Sequence, residues 1–89
     1  MRIQLSSRKG KRYVAIFKDG EKVHFGQSEG YTYLDGASEK IRSAYIARHS
    51  KNNENWSNGR TAGALSRFIL WEKRNLDDAI ASYKSRFGL

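Results

Sequence analysis

The dipeptide Asp19-Gly20 constrains this chain more than any other local feature, because it stands between two stretches, KRYVAIFK and EKVHFG, that alternate like strands. Asp-Gly suits a two-residue type I′ turn, whose twist matches that of the flanking strands. A hairpin over these residues follows, and the turn sets its register. Lys18 then faces Glu21, Ile16 faces Val23 and Val14 faces Phe25, all on one side. Tyr13, Ala15 and Phe17 share the other side with Lys22 and His24. The first side is apolar away from the turn and is expected to pack on helices. The second, aromatic and basic, is expected to face water. Upstream, Arg2 to Ser6 also alternates, with Ile3 and Leu5 pointing one way and Arg2 and Gln4 the other, which suits a third antiparallel strand. Residues 7–11, SRKGK, form a basic loop between the two.

Past the hairpin the period changes. QSEGYTYLDG, residues 27–36, has two glycines and no helical repeat and reads as a connector in which Tyr31, Tyr33 and Leu34 cover part of the core. From Ala37 a helix is expected, with Ile41, Ala44 and Tyr45 on its inner stripe and Glu39, Lys40, Arg42 and Ser43 outside. It stops near His49 or Ser50, where Arg48 and His49 meet the exposed carbonyls of the last turn. Trp56 then folds back as an anchor, and Asn52, Asn53 and Asn55 serve as caps and turn formers. Thr61 caps a second helix, TAGALSRFILWEK, apolar around most of its circumference and so the most buried. Arg67 interrupts that run and is expected to snorkel or to pair with Glu54 or Glu72. A third helix begins at Asn75, with Asp77 and Asp78 in its first turn and Leu76, Ala79, Ile80, Tyr83 and Phe87 as its stripe. The fold class is α+β: a two- or three-stranded antiparallel sheet with three helices on one face. One domain covers 1–89, with the sheet in 1–26, the connector in 27–36 and the helices in 37–89.

With 89 residues and no cysteine, the core must hold by packing alone. No His and acidic residues stand at metal-ligand spacing, and there is no membrane-length apolar run or secretory apolar stretch. Neither secretion nor membrane association is expected. Seventeen Lys and Arg against nine Asp and Glu leave a net charge of +8, a field that attracts polyanions. It is uneven: residues 1–26 carry seven basic and two acidic side chains.

Neither His24 nor His49 is accompanied by a nucleophile and an acid at a spacing that makes a dyad or triad, and phosphate-cradling glycine motifs are absent. No enzyme and no cofactor is expected. Nucleic acid, DNA or RNA, is the favoured partner. Arg2, Arg8, Lys9, Lys11, Arg12 and Lys22 neutralise phosphates while Tyr13, Phe17 and His24 offer ring faces, and Arg48, Lys51 and Arg60 form a second basic patch. The alternative is a structural or adaptor protein that binds another protein through the same strand face. Tyr13 and Phe17 decide between contact surface and core.

Several fragments also resemble a known pattern: HFG at 24–26, GYTYLDG at 30–36, YIARHS at 45–50, ENW at 54–56, TAGALSRFILW at 61–71 and SYKSRFGL at 82–89. Together they resemble a family of small basic proteins encoded by large DNA viruses of algae and protists, the phycodnavirus and mimivirus-like group. The resemblance spans roughly residues 11–89. Tyr33-Leu34 stands where members tend to carry Asp-Tyr, and Arg74-Asn75 where many carry a proline. The resemblance implies viral origin and a shared fold rather than a mechanism. With it the expected location is the host cytoplasm or nucleus, or the virion, and the alternative function becomes a virion-structural or adaptor protein that binds another viral or host protein.

Overall fold

The structure, a computed structural model, describes residues 1–51 and 55–89. Three strands, β1 (Arg2–Leu5), β2 (Lys11–Ile16) and β3 (Lys22–Gln27), form an antiparallel sheet in the order β1-β2-β3. Among the described residues a 3-10 turn at Tyr33–Asp35 and three α-helices follow: α1 (Glu39–Ser50), α2 (Ala62–Leu65) and α3 (Leu76–Phe87). The α+β expectation holds.

The hairpin register differs from the expected one by a single residue. Phe17 N donates to Glu21 O (2.9 Å) and Gly20 N donates to Phe17 O (2.9 Å), so the loop has three residues, Lys18 to Gly20. Gly20 is left-handed, with φ +90°, in the manner of a G1 bulge, and Asp19 Oδ1 accepts from Glu21 N. Tyr13 therefore pairs with Phe25, Val14 with His24, Ala15 with Val23 and Ile16 with Lys22. One residue of slip turns a strand over. Tyr13, Ala15 and Phe17 now share a face with Val23 and Phe25, and Lys22 and His24 share the opposite one with Val14 and Ile16. The expected register would have set Phe17 and Phe25 on opposite sides. The longer loop puts both rings under the helices, at 3% and 0% exposure, a gain of about 1.5–3 kcal/mol for a Phe that would otherwise be solvated.

Helix α1 is capped by Ser38, whose Oγ accepts from Ile41 N. Its inner face also differs from the expected stripe. Ile41 and Ala44 are exposed, while Arg42, Tyr45, Ile46 and His49 turn inward. The cause is polar anchoring: Arg42 Nε donates to Trp71 O (2.7 Å) and its Nη2 to Glu72 (2.8 Å), and Tyr45 stacks on Trp71 with ring centroids 4.4 Å apart. A stripe counted from apolar residues alone misses an inward arginine.

Helix α2 is capped as expected by Thr61, which accepts from Ala64 N. It does not run on as one α-helix; it widens into a π turn over Ser66–Leu70. Phe68, Ile69, Leu70 and Trp71 are all buried, which four consecutive positions of an α-helix achieve only when it is surrounded. α3 follows its expected stripe, with Asn75 Oδ1 accepting from Asp78 N, Ala79 and Tyr83 buried, and Gly88 ending it in the left-handed region. Tyr83 Oη donates to Gly59 O (2.6 Å), and burial holds this phenol well above its ordinary pKa. The core is thus Ala15, Phe17 and Phe25 from the sheet against Tyr45, Leu65, Ile69 and Tyr83. Trp56, half-buried, meets Phe68 edge-on at 6.2 Å, as an anchor should. Asn52, Asn53 and Glu54, with the roles expected of them, lie outside the described residues.

Candidate nucleic-acid interface

The register shift sorts the expected site residues into two groups. Phe17 is core, and its remaining ring face is covered by the Arg60 guanidinium, 4.4 Å from the centroid. Arg60 is itself tied to Asp19 (3.1 Å) and Glu21 (2.6 Å), so it braces the hairpin turn instead of extending a basic patch. Tyr13 is half-buried on the helix side, 5.9 Å from Phe25. Arg12 makes a two-pronged pair with Asp35, at 2.7 and 2.8 Å, and a longer bond to Thr32 Oγ1. These bonds, with those from Thr32, hold the Asp35 carboxyl at about 2. An aromatic, cationic strand face open to water is therefore not what the fold presents: its rings have gone inward and Arg12 fastens the connector to the sheet.

A second group stays outside. Arg2, Lys22 and His24 lie on the helix-free side of the sheet beside Gln4, and Arg8 and Lys9 project from the β1–β2 loop, with Lys11 at its end. Ser6 organises this corner: its Oγ lies 2.7 Å from His24 Nδ1 and accepts from Arg8 N at 3.0 Å. Partial burial and then the positive charges of Arg8, Lys22 and Lys11 hold the imidazole below its ordinary pKa. Those three cations therefore act on one spot. Among the described residues Arg2, Arg8, Lys9, Lys11 and Lys22 join no ion pair.

The remaining arginines show where the acidic residues went. Glu72, half-buried, accepts from Arg42 and Arg67 (2.8 and 2.9 Å) and stands 3.6 Å from Arg86. Arg67 and Arg86 also lie over the Phe68 ring, 4.8 and 4.0 Å from its centroid. This accounts for the arginine that interrupts an apolar run: of its expected partners, Glu72 receives it. Among the described residues the ion pairs use arginines and no lysine, in keeping with the forked, weakly hydrated guanidinium.

Arg48 and Lys51 are exposed near the end of α1. Arg48 and His49 line a cleft of about 430 Å³ that also takes in Lys11 and Tyr31. Tyr31 is 60% exposed. The sequence predicts a ring that covers part of the core, because nothing local distinguishes a covering tyrosine from one on a rim. The described residues contain no cluster of three potential metal ligands, and none of their helices is long and apolar enough to cross a membrane.

A protein of Acanthamoeba polyphaga mimivirus, itself uncharacterised, is 40% identical over 80 residues, covering 80% of this chain and 80% of that protein. No solved structure matches. The mimivirus relative agrees with the giant-virus resemblance of the sequence fragments. A family model described as a family of unknown function, DUF5754, matches residues 1–49, which hold the whole sheet and most of α1. With over half its length matched and this relative beside it, the chain belongs to that family.

Proposed function

We propose that this chain is a non-enzymatic, virus-encoded protein that binds nucleic acid with little sequence specificity, in the infected cell or in the virion, through the β1–β2 loop and the helix-free side of the sheet. One observation carries the reading. Arginines whose charge is matched by acids face inward or brace loops, whereas Arg2, Arg8, Lys9, Lys11 and Lys22 join no ion pair among the described residues, and Arg8, Lys11 and Lys22 converge on His24. Clustered unmatched cations are stable next to phosphates, whose condensed counterions they release. With Tyr13 and Phe17 turned inward, this surface offers charge and not stacking, which favours backbone contact over base readout.

The edge of β1 supports a second reading, docking of another protein, because Leu5 is 77% exposed on an unpaired strand edge. Salt separates the two. Titration of a fluorescent oligonucleotide across salt concentrations should show log affinity falling steeply with log salt. The Arg8→Glu/Lys9→Glu double variant should make that slope shallower by about 1.4 to 1.8, the loss of two phosphate contacts. The same complex should raise the His24 pKa, since phosphates cancel the field that lowers it. Binding should therefore be tighter at pH 6 than at pH 8, with His24 ring signals in NMR reporting the shift. An affinity indifferent to salt and to the double variant would transfer the assignment to the protein-docking reading.

A further inference from the structure

The cleft between α1, the β3–α1 connector and the start of α2 has features that phosphate contact alone leaves unused. Its wall is a continuous aromatic stack: His49 lies on Tyr45 at 4.1 Å and Tyr45 on Trp71 at 4.4 Å. Its mouth carries Lys11, Arg48 and Tyr31, and among the described residues no acidic one lines it. A volume of about 430 Å³ is far larger than the voids of a packed interior and falls within the range of small-ligand sites. The cleft also adjoins the basic loop. Ser28 N donates to Gly10 O (3.1 Å), holding that loop against the turn that leads to Tyr31, and Lys11 belongs to both places.

We propose that this cleft receives one unpaired nucleotide, its base on the exposed ring of Tyr31 with its edge toward the aromatic wall, and the adjoining phosphates on Lys11 and Arg48. The proposal rests on the nucleic-acid reading and narrows it to single strands. A base in a duplex is stacked on both faces and reaches a concave site only after being flipped out, whereas a single strand offers its bases freely. The lining matches that ligand in both parts, a flat apolar body beside negative charge. Cations tracking the backbone with aromatic rings set among them are the usual combination for sequence-tolerant single-strand binding.

Two variants test this at exposed positions away from the core. Tyr31→Ala removes the rim ring, and Ala62→Glu places a negative charge in the cleft at the first turn of a helix, where an acid is compatible with folding. Fluorescence anisotropy would compare labelled oligo(dT), oligo(rU) and a duplex of equal length, with circular dichroism confirming the fold. The wild-type chain should bind single strands more tightly than duplex, and the two homopolymers show whether DNA or RNA is the better ligand. Each variant should weaken single-strand binding about ten-fold or more and leave duplex binding within about two-fold. If neither variant changes single-strand affinity while Arg8→Glu/Lys9→Glu still lowers it, the cleft assignment is overturned and the loop reading stands. Equal weakening of strand and duplex would overturn it too, and a wild-type chain that binds no probe would overturn both.

Discussion

The two sides of the three-stranded sheet are made from the same stretch of hairpin, Lys11 to Gln27, and from neighbouring positions of β1, yet they obey different rules. On the helix side Ala15, Phe17 and Phe25 are nearly or wholly buried and belong to one core with Leu65, Ile69 and Tyr83. On the other side Val14 is buried but stands outside that core, and Arg2, Gln4, Ile16, Lys22 and His24 surround it half-buried or exposed. Packing dictates the identity and placement of residues on the first side. On the second, only Val14 is constrained that way, and cations can be placed according to what they meet in solution. The difference teaches that the aromatic content of the N-terminal segment is architectural, while its positive charge is available for contact.

That contrast can be broken most decisively at Phe17. Replacement by Ala should cost about 3–5 kcal/mol, read by urea denaturation, because a buried ring is lost and the Arg60 guanidinium loses its platform. A cost near zero would mean that the helix side is not the core. A smaller effect is expected at the tie between sheet and connector. Arg12 holds Asp35 at about 2, below the ordinary 3.8. A folded pKa below the unfolded one stabilises the native state fully above about pH 4, and the benefit drains away as pH falls through 3.8 towards 2. The pair is partly exposed, so the loss should be only about 1 kcal/mol. Denaturation at pH 5 and pH 2.5 should show this component in the wild-type chain and not in Asp35→Asn. The smallest effect belongs to the open side: Arg2→Ala and Lys22→Ala should each change stability by less than about 0.5 kcal/mol. Were Lys22→Ala to destabilise as Phe17→Ala does, the open side would be structural after all.

Much of the fold was legible because its signals are local. In α3 the cap, the acidic first turn, the 3.6-residue stripe and the final glycine lie within fourteen consecutive residues, and the structure follows each of them. Thr61 signals a helix start in the same way, whereas the start expected at Ala37 lies one residue before the cap at Ser38, and that cap does not reveal which face of α1 turns inward. The candidate site was legible only as composition. Arg8, Lys9, Lys11, Lys22 and His24 stay together on the surface, but Tyr13, Phe17, Arg12 and Arg60 leave it, each for a partner distant in sequence. Tyr31 enters it for the converse reason: its neighbours across the cleft come from α1 and from residues beyond position 60.

The chain's own order of residues determined that there would be a hairpin at Asp19-Gly20, three capped helical segments and an excess of positive charge concentrated before residue 27. Tertiary structure alone decided whether two or three residues would close the hairpin, and with that which side of each strand met water. An Asp-Gly pair serves either loop at similar local cost, so the choice passes to burial. Only the three-residue closure brings Phe17 and Phe25 together beneath the helices, and removing both rings from water outweighs any preference of the turn itself.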